Sequence, residues 1–511
     1  IGNVTEHDLE ESLNRRRTLD YQYGSSRSGR VHGHLLTLSI ASIHRPERDL
    51  STEANLVVVR ALVTWTGSRL PGEAGQLVRR VGGDSLRRLP DGGTLYPLGS
   101  ARKAVMTVTA PYGSWDSPIT ISMLTEAGVG LGGVTTDGGD LYWLEGRALE
   151  GGRQAIVHRD AHGTIADVTP EGFNSRSRVH EYGGGSYAVK DGVLISCSFE
   201  DQRVYRIEDG RATPITPEPK APAGDRYADF VFHGDRIICV RERHKEDREP
   251  VNTLVTFPLD GSEKPRVIAK GHDFYAAPRI SPDGSRLAWL SWDHPNMPWD
   301  GTELWCAALA DDGTISEPEL VAGGLDESIY QPEWSPGGVL HFVSDRTGWW
   351  NLFRLVDGHV EALHLMEAEL GEPMWVFGMR RYGFLLEDRI VTIYYEDGFS
   401  RVGVLEGESL RQLHVPFEHF GHSLGTCGDQ VFTTAGSGSK PMAVVRLDVD
   451  TEAIKVVKES LQIELDPALI SLPEAVEFPT TDDAIAHAFY YPPRNPNYVA
   501  PEGEKPPLIV F

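Results

Sequence analysis

Residues Tyr275 to Asp293 read YAAPRISPDGSRLAWLSWD. An aromatic entry and small residues lead into a Ser-Pro-Asp-Gly turn, and LAWLSW beyond it alternates as a half-buried strand does. Alone this is one hairpin. The stretch Tyr330 to Gly358, YQPEWSPGGVLHFVSDRTGWWNLFRLVDG, repeats the plan and adds a further strand and turn. Five more passes begin at Gly128 (GVGLGGVTTDGGDLYWLEGR), Glu181 (EYGGGSYAVKDGVLISCSFEDQRVYRIEDG), Tyr227 (YADFVFHGDRIICVRERH), Val376 (VFGMRRYGFLLEDRIVTIYYEDG) and His419 (HFGHSLGTCGDQVFTTAGSG). Their turns fall near Asp137, Asp191, Gly234, Asp283, Gly337, Glu387 and Gly428, a period of roughly 40 to 55 residues, as blades of four strands require. One such blade cannot bury both faces, so several must stack about an axis. The expected fold class is all-β: a seven-bladed β-propeller over 127–455.

After the last repeat the pattern changes. SLPEAVEFPTTDDAIAHAFYYPP predicts two strands, Glu474 to Pro479 and Ala484 to Tyr491, joined at a Thr-Asp-Asp turn. PPLIVF, at 506–511, is a continuous apolar run of the kind that forms a strand covered on both faces. Such a strand needs neighbours and covering helices, so residues 456–511 are expected to be a linker and the incomplete start of an α/β domain.

The chain of 511 residues carries a net charge of -25. Nucleic acid and anionic membrane need Lys/Arg footprints and are not expected as partners. Residues 1–105 differ from the rest, with 14 Arg and 1 Lys against 11 acids (15 - 11 = +4), which leaves -25 - 4 = -29 for the remainder. They contain no Met, the first being Met106, and are expected to be a disordered or mistranslated extension, followed by a lead-in segment over 106–126. The four cysteines are far apart with no C-x-x-C pair, so neither zinc nor a disulfide framework is signalled. His233, His244, His272, His294 and His341 lack metal-ligand spacing, and no metal or cofactor is expected. The apolar run NLVVVRALVTW is too short to span a bilayer, so a soluble, cytoplasmic protein is expected.

GHSLG, Gly421 to Gly425, is a literal G-x-S-x-G. A nucleophile elbow needs a buried parallel strand before it and a helix after it. LRQLHVPFEHF upstream and the β-forming TCGDQVFTTAG downstream supply neither, although Asp429 or Asp482 and then His487 follow in an allowed order. Ser423 is read as a structural decoy in the seventh blade. HEYGGG, His180 to Gly185, lacks the Lys-Ser/Thr of a phosphate loop, and its glycines more simply permit close backbone approach near the axis. Trp349 and Trp350 are read as packing between blades, WDHPNMPWDG (Trp292 to Gly301) as an ordered loop, and RERHKEDRE (Arg241 to Glu249) as a solvated hairpin tip.

The blocks TAPYGSWDSPIT (Thr109 to Thr120), RVHEYGGGSY (Arg178 to Tyr187), SPDGSRLAWLSWDHPNMPWDGTELW (Ser281 to Trp305), SDRTGWWNLFRL (Ser344 to Leu355) and FYYPPRNPNY…EKPPLIVF resemble the prolyl oligopeptidase family of serine peptidases, in its dipeptidyl-aminopeptidase and acylaminoacyl-peptidase-like branch. The resemblance covers Met106 to Phe511. It implies a propeller capping an α/β-hydrolase domain and admitting short peptides. The His-Gly-Gly oxyanion loop and the catalytic Ser, Asp and His would lie beyond Phe511, so no catalytic residue is assigned and the chain is expected to be an inactive fragment. A peptidase that trims amino termini needs a carboxylate for the substrate ammonium, and Glu181, with Arg178 and Tyr182, is the candidate substrate-binding set; the simpler role for Glu181 is a blade-to-blade hydrogen bond or salt bridge. A non-catalytic protein-binding propeller and an esterase of the same architecture remain as alternatives, and a homo-oligomer is left open.

Overall fold

Seven four-stranded antiparallel sheets succeed one another along the chain, each in the spatial order of its sequence. Their innermost strands are Val129–Asp137, Tyr187–Lys190, Asp225–His233, Phe274–Ile280, Ile329–Trp334, Tyr382–Phe384 and His419–Cys427, which number blades 1 to 7. This is a seven-bladed β-propeller. The computed structural model describes residues 107–510 apart from 127, 246–247, 463–464 and 482–483. The expected extension over 1–105 lies outside the described residues. Among these, helix is confined to Ile121–Glu126 and three single 3-10 turns. None of them is long and apolar enough to cross a membrane.

The alternation read from the repeats places one apolar face of each blade against its neighbour. Buried clusters accordingly bridge blades rather than fill them. Ile195, Cys197 and Val204 of blade 2 pack with Tyr227, Ile237 and Phe257 of blade 3. Trp143 and Val157 of blade 1 pack with Phe432 and Val444 of blade 7, closing the ring. Trp350 packs between blades 5 and 6 as expected, against Tyr382 and Leu405 among others. Among the described residues no strand is exchanged between first and last blades, so closure rests on packing and hydrogen bonds.

Those bonds follow from a local irregularity. Inner strands of blades 1, 3, 4, 5 and 7 each carry a bulge, which leaves backbone groups unpaired within the sheet. A neighbouring blade satisfies them. Asp229 N–H donates to Gly185 O (2.9 Å) and Ala277 N–H to Asp229 Oδ2 (2.7 Å). Arg381 N–H donates to Gln331 Oε1 (2.6 Å), and Arg380 N–H to His422 O (2.8 Å). Trp334 Nε1 donates to Arg279 O (3.1 Å), and the Tyr187 hydroxyl to Gly133 O. The seventh joint is Val134 N–H to Ser423 Oγ, 2.9 Å and buried.

The hairpins at the seven predicted turn positions all lie at one end of the inner strands. The connections between blades, and between second and third strands, lie at the other. On this connection face Phe489 packs on Phe399 at 4.8 Å, and Leu472 and Pro473 approach Gly438. The strands Glu474–Pro479 and Ile485–Tyr490 thus sit beside blades 6 and 7. Val108–Thr109 pairs in parallel with Tyr498–Val499, with Trp115 stacked on Tyr498 at 6.0 Å, so the lead-in is clasped to the C-terminal segment. Pro506 to Val510 departs from expectation: it forms no named strand, and Leu508 is 67% exposed.

Candidate functional site

Ser423 is not exposed on a turn. It lies in a bulged inner strand, 6% exposed, accepting from Val134 N–H while its carbonyl accepts from the Thr433 hydroxyl (2.8 Å). Gly421 is required beside it, since a Cβ there would fall 2.0 Å from the Thr434 hydroxyl. The G-x-S-x-G is a ring joint.

The loop Ser177–Gly185 is built quite differently. It leaves blade 1, and its Gly183 carbonyl accepts from Phe377 N–H (2.9 Å), in the connection leading to blade 6. On the way His180 N–H donates to Glu242 of blade 3 (2.8 Å), while the His180 ring meets Phe274 and Trp292 of blade 4 and Phe377. A segment touching blades on opposite sides crosses the axis, so it is a strap over the mouth of the central channel. The strap lies across this mouth and carries Glu181. Gly183 and Gly184, at φ +69° and +88°, make the crossing, where a Cβ would fall 2.1 Å from Ser177 O and 2.4 Å from Phe377 O. Burial lowers the His180 imidazole to about 4, so it is neutral in the fold.

The strap presents Glu181 and Tyr182 outward, the former with its side chain 71% exposed and the latter residue 62% exposed. Arg226 of blade 3 donates to Glu181 (2.6 Å) and to buried Glu242 (3.2 Å), and its hydrogen bond lowers the Glu181 carboxyl below the usual range. His244 Nε2 lies 2.5 Å from Glu242. The ligand atoms of Glu181, Glu242 and His244 lie within 4.8 Å of one another, a spacing that suits a metal, but the Arg226 guanidinium already serves both carboxylates as their cation. Arg178 reaches this group less directly: its guanidinium lies over Phe199 at 5.4 Å, its carbonyl accepts from Arg226, and its charge adds to the lowering of the Glu181 carboxyl.

Beside Tyr182 stands Trp375, rings 5.5 Å apart and edge-on, and Trp299 lies 4.5 Å from Trp375. Solved structures with this architecture exist. A Mycobacterium tuberculosis puromycin-hydrolysing peptidase is 36% identical over 78% of this chain and 64% of its own, with TM-score 0.73. A puromycin hydrolase is 33% identical with the same coverages and TM-score 0.74. The chain belongs to the prolyl oligopeptidase family of serine peptidases. A prolyl endopeptidase structure at 13% identity (TM-score 0.55, 72% of this chain and 55% of its own) shares the fold alone. The chain spans 64% of the length of the first two. No family model and no curated protein matches the sequence.

Sequence reasoning missed Arg226, Glu242, Trp299 and Trp375. It also took RERHKEDRE for a solvated tip, whereas Arg241 and Glu242 are 5% and 3% exposed. Glu242 tolerates burial because a backbone N–H, Arg226 and His244 surround it. The available signal was the continuous apolar run IICV leading into it, since the strand is buried without interruption from Ile237 to Glu242.

Proposed function

We propose that the chain supplies the substrate-gating propeller, with the opening strands of an α/β-hydrolase domain, for a serine peptidase that cleaves short peptides bearing a free amino terminus. The observation carrying this is Glu181, an exposed carboxylate fixed by Arg226 on the same face as the 467–510 segment and its clasped lead-in. A charge-assisted bond from a substrate ammonium to such a preorganised carboxylate fixes the peptide end. Between the dipeptidyl and acylaminoacyl types, a carboxylate favours the first, since an acylated terminus has no ammonium. The strap closes the channel mouth, so substrate enters from the side, between propeller and hydrolase domain, which admits short chains. The exposed Leu508, Ile485 and Phe478 become covered as that domain is completed.

Acyl transfer needs a serine activated by a histidine and an oxyanion hole acting together. Ser423 has neither, so residues 1–511 are expected to be inert towards a fluorophosphonate probe. Stoichiometric labelling lost in Ser423→Ala overturns that statement. In the enzyme carrying its hydrolase domain, Glu181→Gln is expected to raise KM for peptides with a free amino terminus by about tenfold or more. An unchanged KM removes Glu181 from the substrate site.

A further inference from the structure

The aromatic group beside Glu181 is assembled from three distant segments. Tyr182 comes from the strap, Trp299 from the loop between the second and third strands of blade 4, and Trp375 from the connection to blade 6. Each segment is tied down. Val376 and Phe377, next to Trp375, run against Gly184, and the Trp299 loop is held by Ser328 Oγ to Pro298 O (2.9 Å) and Asn296 Nδ2 to Leu325 O (2.9 Å). Rings held this way are preorganised, so a ligand meets them without an ordering cost. Yet they are left open to solvent: Trp375 is 43% exposed and Tyr182 62%, and Met297 (42%) and Leu325 (78%) extend the same side.

Large apolar side chains standing together in water indicate a contact surface. Its surroundings select the occupant. Glu181 directly precedes Tyr182 in the chain, and Asp300 and Asp326 are exposed on the two loops beside Trp299. A ligand that carries an aromatic group and a neighbouring cation satisfies both chemistries. Ring pairs at 4.5–7 Å in edge-on or offset geometry leave faces that accept another ring, and an ammonium gains further from a neighbouring Trp face. Resting on the reading that this face receives an amino terminus, we propose that Trp375, Trp299 and Tyr182 form the subsite for an aromatic side chain on the amino-terminal residue of the substrate, next to the ammonium held by Glu181.

The test is calorimetric titration of the chain with phenylalanyl-glycinamide, glycyl-glycinamide and N-acetyl-phenylalanyl-glycinamide. The phenylalanyl peptide is expected to bind about tenfold or more tightly than the glycyl peptide. Trp375→Ala should erase that preference while leaving the glycyl peptide unchanged, and Trp375→Phe should restore most of it. Glu181→Gln and N-acetylation should weaken binding by the ammonium contribution alone. If Trp375→Ala acts and Glu181→Gln does not, the aromatic subsite stands and the ammonium reading fails. Equal affinity for phenylalanyl and glycyl peptides, equal weakening of both by Trp375→Ala, or no binding of the phenylalanyl peptide at about 10 mM overturns the proposal. The last result, joined to capture of a folded protein that Trp375→Ala abolishes, assigns the surface to a protein partner instead.

Discussion

Gly421–Gly425 and His180–Gly185 look alike in sequence: short runs rich in glycine, with one histidine, at the inner strands of blades 7 and 2. The fold uses them in opposite ways. In the first, glycine lets a side chain turn inward, and Ser423 serves the bulge of blade 1. In the second, glycine lets the backbone itself come close to Phe377 and Asp229, and the side chains of Glu181 and Tyr182 are left outside. A serine that completes a backbone bond is committed to structure, whereas a carboxylate and a ring carried on a glycine-built crossing remain available for chemistry.

The contrast breaks first at the strap. Gly184→Val puts a Cβ 2.4 Å from Phe377 O at φ +88°, and denaturant unfolding should show a loss of about 2–4 kcal/mol. An unchanged midpoint means that the crossing opens without cost. Ser423→Ala should cost about 1–3 kcal/mol by leaving Val134 N–H buried without a partner. It should not alter peptide affinity.

A pH series sharpens the same division. The folded pKa values of His180 and His341, both lowered to about 4 by burial, lie below the ordinary 6.5, so the folded state binds fewer protons. Stability is therefore full above pH 6.5 and falls as pH drops towards 4, by about 1.4 kcal/mol per pH unit for each histidine. His180→Asn, which tolerates the positive φ, should remove one histidine's share of that slope. The smallest effect belongs outside: Tyr182→Ala should change stability by less than about 0.5 kcal/mol, and a larger loss would mean that its ring holds the strap down.

Much of this was legible in advance. All seven turn positions, from Asp137 to Gly428, coincide with the hairpins after the inner strands, because Gly, Asp and Pro mark tight turns locally. Glu181 and Tyr182 could be named from their block. What surrounds them could not. Gly184 meets Phe377 and Tyr182 meets Trp375 across more than 190 residues, and no periodicity records which blade faces which across an axis. Burial of Glu242 was hidden for a related reason: of its partners only His244 comes from its own run of charges, while the His180 N–H and Arg226 come from elsewhere. The apolar run at 506–511 was read by composition alone, and composition gives a strand no neighbour.

Because every blade is one contiguous stretch, six of the seven joints link parts of the chain close in sequence, as Asp229 and Ala277 are, 48 residues apart. The joint at Ser423 spans 289. Loop entropy rises only with the logarithm of length, so this last joint costs about 1.6 kcal/mol more than a neighbouring one, comparable in size to the single bond that Ser423 makes. Folding should therefore advance blade by blade and finish at the seam between blades 1 and 7, with Ser423 altering the unfolding rate far more than the folding rate.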